Sequence, residues 1–180
     1  MKYNPKIHNR RSIRLKNYDY SQAGMYFITI CCYKRTSRFG HIENRVMKLN
    51  EQGQIAHNEW IKLSERFPNV VLDAFQIMPN HMHGIIILTP AQTKPENKMN
   101  RDIKQYQKLA PTVGNIIGSY KSLVANGCLK IYKLENKIMG KLWQRNYWEH
   151  IIRNEKSHQR ISDYIIENPE NWQQDKFFKK

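Results

Sequence analysis

Two apolar runs, Val70-Val-Leu-Asp-Ala-Phe-Gln-Ile-Met78 and His81-Met-His-Gly-Ile-Ile-Ile-Leu88, are separated only by Pro79 and Asn80. Both are rich in β-branched and aromatic residues, and so brief a break leaves no length for a crossover. They must therefore be neighbouring antiparallel strands. On the N-terminal side of this hairpin, Asn50 can cap a helix running to about Arg66. Ile55, Trp60, Ile61 and Leu63 fall on or near its buried stripe, and Pro68-Asn69 ends it. On the C-terminal side, Thr112 can cap a second helix from Val113 to about Ala125, with Val113, Ile116, Ile117, Tyr120 and Leu123 at helical spacing. Strand-like segments lie outside both helices, at Met25 to Tyr33 and at residues 142–152.

The order β-α-β-β-α-β is the ferredoxin-like pattern, an α+β fold with an antiparallel sheet and two helices on one face. A small hairpin, Phe39-Gly-His-Ile and Val46-Met-Lys-Leu around Glu43-Asn-Arg, precedes the first helix. One more helix, capped by Asn154 and stopped by Pro169 near Asn168, is left over. It is free to pack on the open face of the sheet. With 180 residues the chain has room for one domain. We read a basic N-terminal arm over 1–22, a single domain over 23–172 with a flexible, Lys-rich insertion at 89–109, and a basic tail over 173–180.

Thirty Lys and Arg against fifteen Asp and Glu leave a formal charge of +15. A compact chain tolerates that self-repulsion best against a polyanion, and nucleic acid is the first candidate. A membrane is not expected as partner, because Gly84-Ile-Ile-Ile-Leu88 is far short of the ~20 apolar residues that span a bilayer. The N-terminus carries no apolar stretch of the kind a secretory signal needs. Cys31, Cys32 and Cys128 form no CxxC pair, which suits a reducing cytoplasm.

His81 and His83 open the second strand of the hairpin. Alternation puts both imidazoles on one face, close enough to share a metal ion, with Met82 turned the other way into the core. Two histidines beside a turn are also what half-exposed polar residues look like. No CxxC pair or third nearby histidine closes a structural zinc shell, so the pair suits an open site for a catalytic divalent ion. On the last helix, Arg160, Tyr164 and Asn168 lie one turn apart along one face. Asn168 offers a carboxamide oxygen as a third ligand, and Tyr164 sits one turn away. A tyrosine between Ile161 and Ile165 is equally what a core residue looks like.

Four segments together resemble the single-tyrosine HUH transposases, and most nearly their REP-associated tyrosine transposase branch. They are Phe75-Gln-Ile-Met-Pro-Asn-His-Met-His-Gly-Ile85, the helix starting Val113-Gly-Asn-Ile-Ile-Gly-Ser-Tyr-Lys-Ser, Trp143-Gln-Arg-Asn-Tyr-Trp-Glu-His-Ile-Ile-Arg-Asn-Glu, and Asp163-Tyr-Ile-Ile-Glu-Asn-Pro169. The resemblance spans about Tyr18 to Trp172. It implies His81 and His83 as metal ligands with Met82 as the hydrophobic middle of the motif, Tyr164 as the nucleophile, and Asn168 as the third ligand. Tyr147, also within a matching segment, is the alternative nucleophile, and otherwise a packing or stacking residue.

The resemblance further implies cleavage and rejoining of single-stranded DNA through a 5′-phosphotyrosine, with Mg²⁺ or Mn²⁺ as cofactor. The implied partner is hairpin-forming DNA, and the chain acts as a monomer or homodimer. Rejoining conserves bond energy and needs no nucleotide cofactor, in keeping with the lack of a GxxxxGK[ST] loop. Expected DNA contacts are Arg35, Lys121, Arg145, Arg153 and Arg160 on phosphates, with Tyr147 and Trp148 as stackers. Two rivals remain at this level: a non-catalytic nucleic-acid-binding module with an RNA-recognition-like sheet, and a metal-dependent nuclease in which water attacks.

Overall fold

In the computed structural model, residues 18–90 and 111–178 are described. Most of the N-terminal arm, most of the 89–109 insertion and the last two residues fall outside them.

The described chain is a four-stranded antiparallel sheet flanked by helices. β1 is Gly24–Cys31, β2 Gly40–Glu43, β3 Val46–Leu49, β4 Val70–Ile77, β5 His81–Leu88 and β6 Trp148–Ile152. The helices are α1 Glu51–Ile61 with its short continuation α2 Leu63–Arg66, then α3 Val113–Leu134 and α4 Glu155–Ile166. The sheet runs β4-β5-β1-β6, every pair antiparallel, and β2 and β3 form a separate hairpin. This is the expected ferredoxin-like order, which places β1 and β5 at the centre.

The caps form where the sequence puts them. Asn50 accepts from the Gly53 backbone N–H, Thr112 forms a capping box with Asn115, and Asn154 accepts from the Ser157 N–H. Each ties down a free N–H at a helix start.

Alternation along the central strands divides the apolar residues between two cores. Tyr26, Ile28, Ile30, Met82 and Ile86 face α1 and α3, where they meet Trp60, Leu63, Ile116, Ile117 and Tyr120. On the other face, Ile85 and Ile152 meet Ile161 and Ile165 of α4, with Met25 and Phe27 half-buried beside them. Burying the two α4 isoleucines contributes about 1.5–3 kcal/mol each. The last helix therefore docks on the face the sequence left open. Where β4 slips register between Leu72 and Phe75, Asp73 is hydrogen-bonded to His158 of α4.

The structure departs from the sequence reading at three places. β1 stops at Cys31, and Tyr33–Arg35 form a 3-10 turn in which Lys34 and Arg35 adopt positive φ. The second helix runs nine residues past Ala125, to Leu134. Asn126-Gly127 look like a stop, but Gly127 is where Ile55 of α1 approaches. A Cβ there would lie 2.8 Å from an Ile55 methyl, so the glycine serves helix packing rather than a cap. Within 142–152 only Trp148–Ile152 is a strand, Trp143 making a single bridge to Cys32. Gly84 plays a comparable part in β5: a Cβ would meet the Trp60 ring at 2.4 Å. Among the described residues no helix is long and apolar enough to cross a membrane.

Candidate metal and nucleophile site

β5 emerges from the Pro79-Asn80 turn with His81 opposite Cys31 and His83 opposite Thr29 on β1. Both imidazoles are fully buried on the α4 face. Their Nε2 atoms approach to 3.1 Å, so the two rings aim at one spot.

The neighbours determine which nitrogen is bare. Asn80 donates its amide N–H groups to the carbonyls of Phe177 (2.8 Å) and Arg35 (3.3 Å), which leaves its Oδ1 to accept from His81 Nδ1 at 2.8 Å. The His81 lone pair is then on Nε2. His83 Nδ1 lies 2.8 Å from the Thr29 hydroxyl. With its proton on that side, His83 also presents a lone pair at Nε2, as in metal sites whose ligands are oriented by outer hydrogen bonds. Burial, followed by the charges of Lys176 and Arg35, lowers the His81 pKa to about 3. Burial and then His81 push His83 well below its ordinary value. Both rings are neutral at pH 7, the form that binds metal.

Tyr164 reaches this spot from α4. Its hydroxyl is 3.2 Å from His83 Nε2 and donates to Asp175 Oδ2 at 3.1 Å. Its ring packs edge-on to Phe27 at 6.3 Å. The residue remains 38% exposed, so the hydroxyl points inward while one side of the ring faces solvent. Burial of the hydroxyl and the adjacent Asp175 carboxylate hold the phenol pKa above its usual value.

Asn168 is buried, two residues past the end of α4. It donates its amide to Asp175 Oδ2 at 2.8 Å, while its Oδ1 is buried with no hydrogen-bond partner. An orphaned buried carbonyl oxygen costs on the order of 1–3 kcal/mol. Bare imidazole nitrogens, that oxygen and a nearby carboxylate suit a hard or borderline divalent ion, so the donor set fits the expected cofactor. One ligand atom each from His81, His83 and Asp175 lies within 4.8 Å of the others.

Asp175 went unrecognised in the sequence. It belongs to the segment read as a basic tail, and residues 172–178 instead fold back across the site. The Phe177 ring lies 4.5 Å from that of His81, Trp172 lies 5.9 Å from it, and Phe177 N–H donates to Asp175 Oδ1. The only available signal was weak: one carboxylate and three aromatics in an otherwise basic and amide stretch. Thr29 and Asn80 were also missed, because their roles depend on cross-strand register and turn geometry.

The expected DNA contacts are dispersed. Arg35 lies over the Phe177 ring at 5.1 Å, beside the histidines. Arg160 lines a cavity of about 790 Å³ along α4 with Tyr164, Asn168 and Asp175. Trp148 is 57% exposed at the β6 edge, and Arg145 and Arg153 are exposed near the two ends of that strand. Lys121 donates to the carbonyls of Gln144 and Arg145, at 2.8 and 3.0 Å, and burial lowers its pKa. That makes it a tether for the segment entering β6. Tyr147 is half-buried against the main core, while Tyr164 stands at the histidines.

No family model matches the chain. It is 42% identical to an uncharacterised protein of Haemophilus influenzae, over 98% of this chain and 97% of that protein. It is 26% identical to the REP-associated tyrosine transposase of Escherichia coli, covering 83% of this chain and 68% of that protein. A solved REP-associated tyrosine transposase bound to a REP hairpin has a similar fold. The TM-score is 0.56 at 22% identity, over 88% of this chain and 74% of that one.

Proposed function

The chain belongs to the REP-associated tyrosine transposases, of the single-tyrosine HUH type, and on that premise we propose that it cuts and rejoins single-stranded DNA through Tyr164. The observation that carries this reading is the Tyr164 hydroxyl 3.2 Å from His83 Nε2, where two buried imidazoles converge.

His81 and His83 would hold a divalent ion, Mg²⁺ or Mn²⁺, with the unpartnered Asn168 Oδ1 as oxygen ligand. Such an ion, when bound, supplies polarisation of a non-bridging phosphate oxygen and orients the scissile bond. Tyr164 supplies the attacking oxygen and passes its proton to Asp175, the carboxylate to which it already donates. A bond forms between the phenol oxygen and phosphorus. The bond from phosphorus to the 3′ oxygen breaks, leaving a 5′-phosphotyrosine and a 3′-OH that takes up a proton. Attack by a 3′-OH reverses the step and rejoins the strand. Phe27 and Phe177 flank the rings and limit water that would hydrolyse the intermediate.

The substrate in this reading is a hairpin-forming single strand, drawn by the +15 charge. Tyr164 meets histidines of its own chain, which supports a monomer as the catalytic unit. Three buried, unpaired cysteines agree with a cytoplasmic setting.

The test is incubation with hairpin-tailed single-stranded DNA and Mg²⁺ or Mn²⁺. An SDS-stable protein–DNA adduct is expected, absent in Tyr164→Phe. An adduct that survives Tyr164→Phe but not Tyr147→Phe transfers the role to Tyr147. Cleavage that continues in both variants without any adduct means water is the nucleophile, and hairpin binding without cleavage means a binding module.

A further inference from the structure

α4 delivers Tyr164 to the histidines, yet it rests chiefly on the edge strand β4 and only lightly on β5, which carries them. Its apolar anchors, Ile161 and Ile165, pack among Ile85, Ile152, Ala74 and Ile87. Such contacts are non-directional, so a helix held by them alone can roll a little with almost no change in buried area. The phenol magnifies any roll. Its oxygen lies on the order of 9 Å from the helix axis, so a roll of about 10° moves it by roughly 1.5 Å. The hydroxyl stands 3.2 Å from His83 Nε2, and a misplacement of ~1 Å can cost about 10²-fold in rate.

His158 supplies α4 with a directional contact. It lies three residues before Ile161 and seven before Ile165, on the same face of the helix. Its Nε2–H donates to Asp73 Oδ2. Asp73 occupies the register shift of β4, between Leu72 and Phe75, and its Oδ1 accepts from the Ala74 backbone N–H at 2.7 Å. That second bond sets the direction of the carboxylate. Glu155, one turn earlier on α4, stands 3.5 Å from the other ring nitrogen. With side chains 21% and 33% exposed, His158 and Asp73 are too open to water for their bond to hold the fold together. Hydrogen bonds weaken steeply with angle, however, so this one resists the roll and slide that the isoleucines permit.

We propose that Asp73 and His158 are a positioning pair, fixing the roll and depth of α4 so that the Tyr164 hydroxyl meets the converged imidazoles. The consequence for rate rests on the proposed strand-cleaving role of Tyr164, whereas the placement of the helix does not. That separates the tests: one reads the reaction, and another reads where the ring lies.

Single-turnover adduct formation at saturating hairpin-tailed DNA with Mn²⁺ reads attack, and fluorescence anisotropy of the same strand in EDTA reads binding. His158→Ala and Asp73→Ala should each slow adduct formation roughly tenfold or more, with strand affinity and thermal melting little changed. The double variant should be no slower than either single one, because the two residues act as a unit. His158→Gln, whose amide places an N–H where Nε2 stood, should recover most of the rate. The NMR cross-peak between the Tyr164 and Phe27 rings, whose centroids are 6.3 Å apart, should weaken in His158→Ala and return in His158→Gln. An unchanged adduct rate in His158→Ala would overturn the proposal, as would a loss confined to binding or an equal loss in His158→Gln. A large fall in melting temperature in both alanine variants marks a structural staple and overturns it too. If the unaltered chain forms no adduct, the strand-cleaving reading falls; a cross-peak that weakens in His158→Ala then sustains the positioning pair, and one that persists refutes it.

Discussion

Replacing Thr29 by valine removes one hydroxyl and little volume, at a position only 4% exposed and directly opposite His83. That hydroxyl is the partner of His83 Nδ1 at 2.8 Å, so the variant leaves a buried ring nitrogen with nothing to bond. An unsatisfied buried polar atom costs about 1–3 kcal/mol. For a chain of this size that corresponds to a fall in Tm of roughly 2–12 °C, less whatever the added methyl recovers. The functional effect is separate. Without Thr29, the His83 proton can move to Nε2, which turns a donor toward His81 and withdraws one ligand. Loss of such an orienting contact weakens metal affinity about 10–100-fold. Mn²⁺ titration followed by electron paramagnetic resonance reads this directly, with thermal melting alongside and Thr29→Ser as the conservative control. Undiminished Mn²⁺ affinity in a folded Thr29→Val chain would refute the ligand geometry derived for His83.

Three further outcomes follow from the packing and charge. Burial holds both site histidines below the ordinary 6.5, so in metal-free protein their contribution is intact above pH 6.5 and lost as pH falls below it, for His81 toward about 3. The loss approaches ~1.4 kcal/mol per pH unit per histidine, and Tm measured against pH in EDTA should fall accordingly, about half as steeply in His81→Gln. Gly84→Ala should destabilise by about 1–3 kcal/mol through overpacking against Trp60, and Trp60→Phe should cost less on that background than alone, as denaturant melts of the double-mutant cycle would record. His158 has its pKa raised, by its bond to Asp73 first, so the clamp between α4 and β4 holds at low pH and loosens as pH rises through that value. An NMR titration of the His158 ring should place the value above 6.5, and Asp73→Asn should bring it down.

The fold could be read from sequence because its signals are local. The two-residue break at Pro79-Asn80 forces a hairpin, Asn50, Thr112 and Asn154 each satisfy a backbone N–H within three residues, and alternation assigns Met82 to one face and His83 to the other. The helix end at Leu134 could not be read that way, because what carries the helix past Asn126-Gly127 is contact with α1, remote in sequence. The bonds of Lys121 could not be read locally for the same reason: nothing near it in sequence says that its ammonium will meet the carbonyls of Gln144 and Arg145.

The site divides along the same line. By itself, the sequence determined that His81 and His83 share a face, since two-residue periodicity is a property of any strand; it placed Asn168 one helical turn beyond Tyr164, whereas the helix ends at Ile166 and Asn168 lies in the turn that follows. Only the tertiary structure decided that α4 lays Tyr164 on those histidines rather than burying it among isoleucines. It also decided that the chain end returns to deliver Asp175 to the phenol and Phe177 to the imidazoles. Asn80 and Phe177 are held together across 97 positions of sequence. Their meeting is set by the shape of the sheet face, the apolar surface left uncovered there and the hydrogen bonds the turn leaves open, none of which is written in the order of residues near either one.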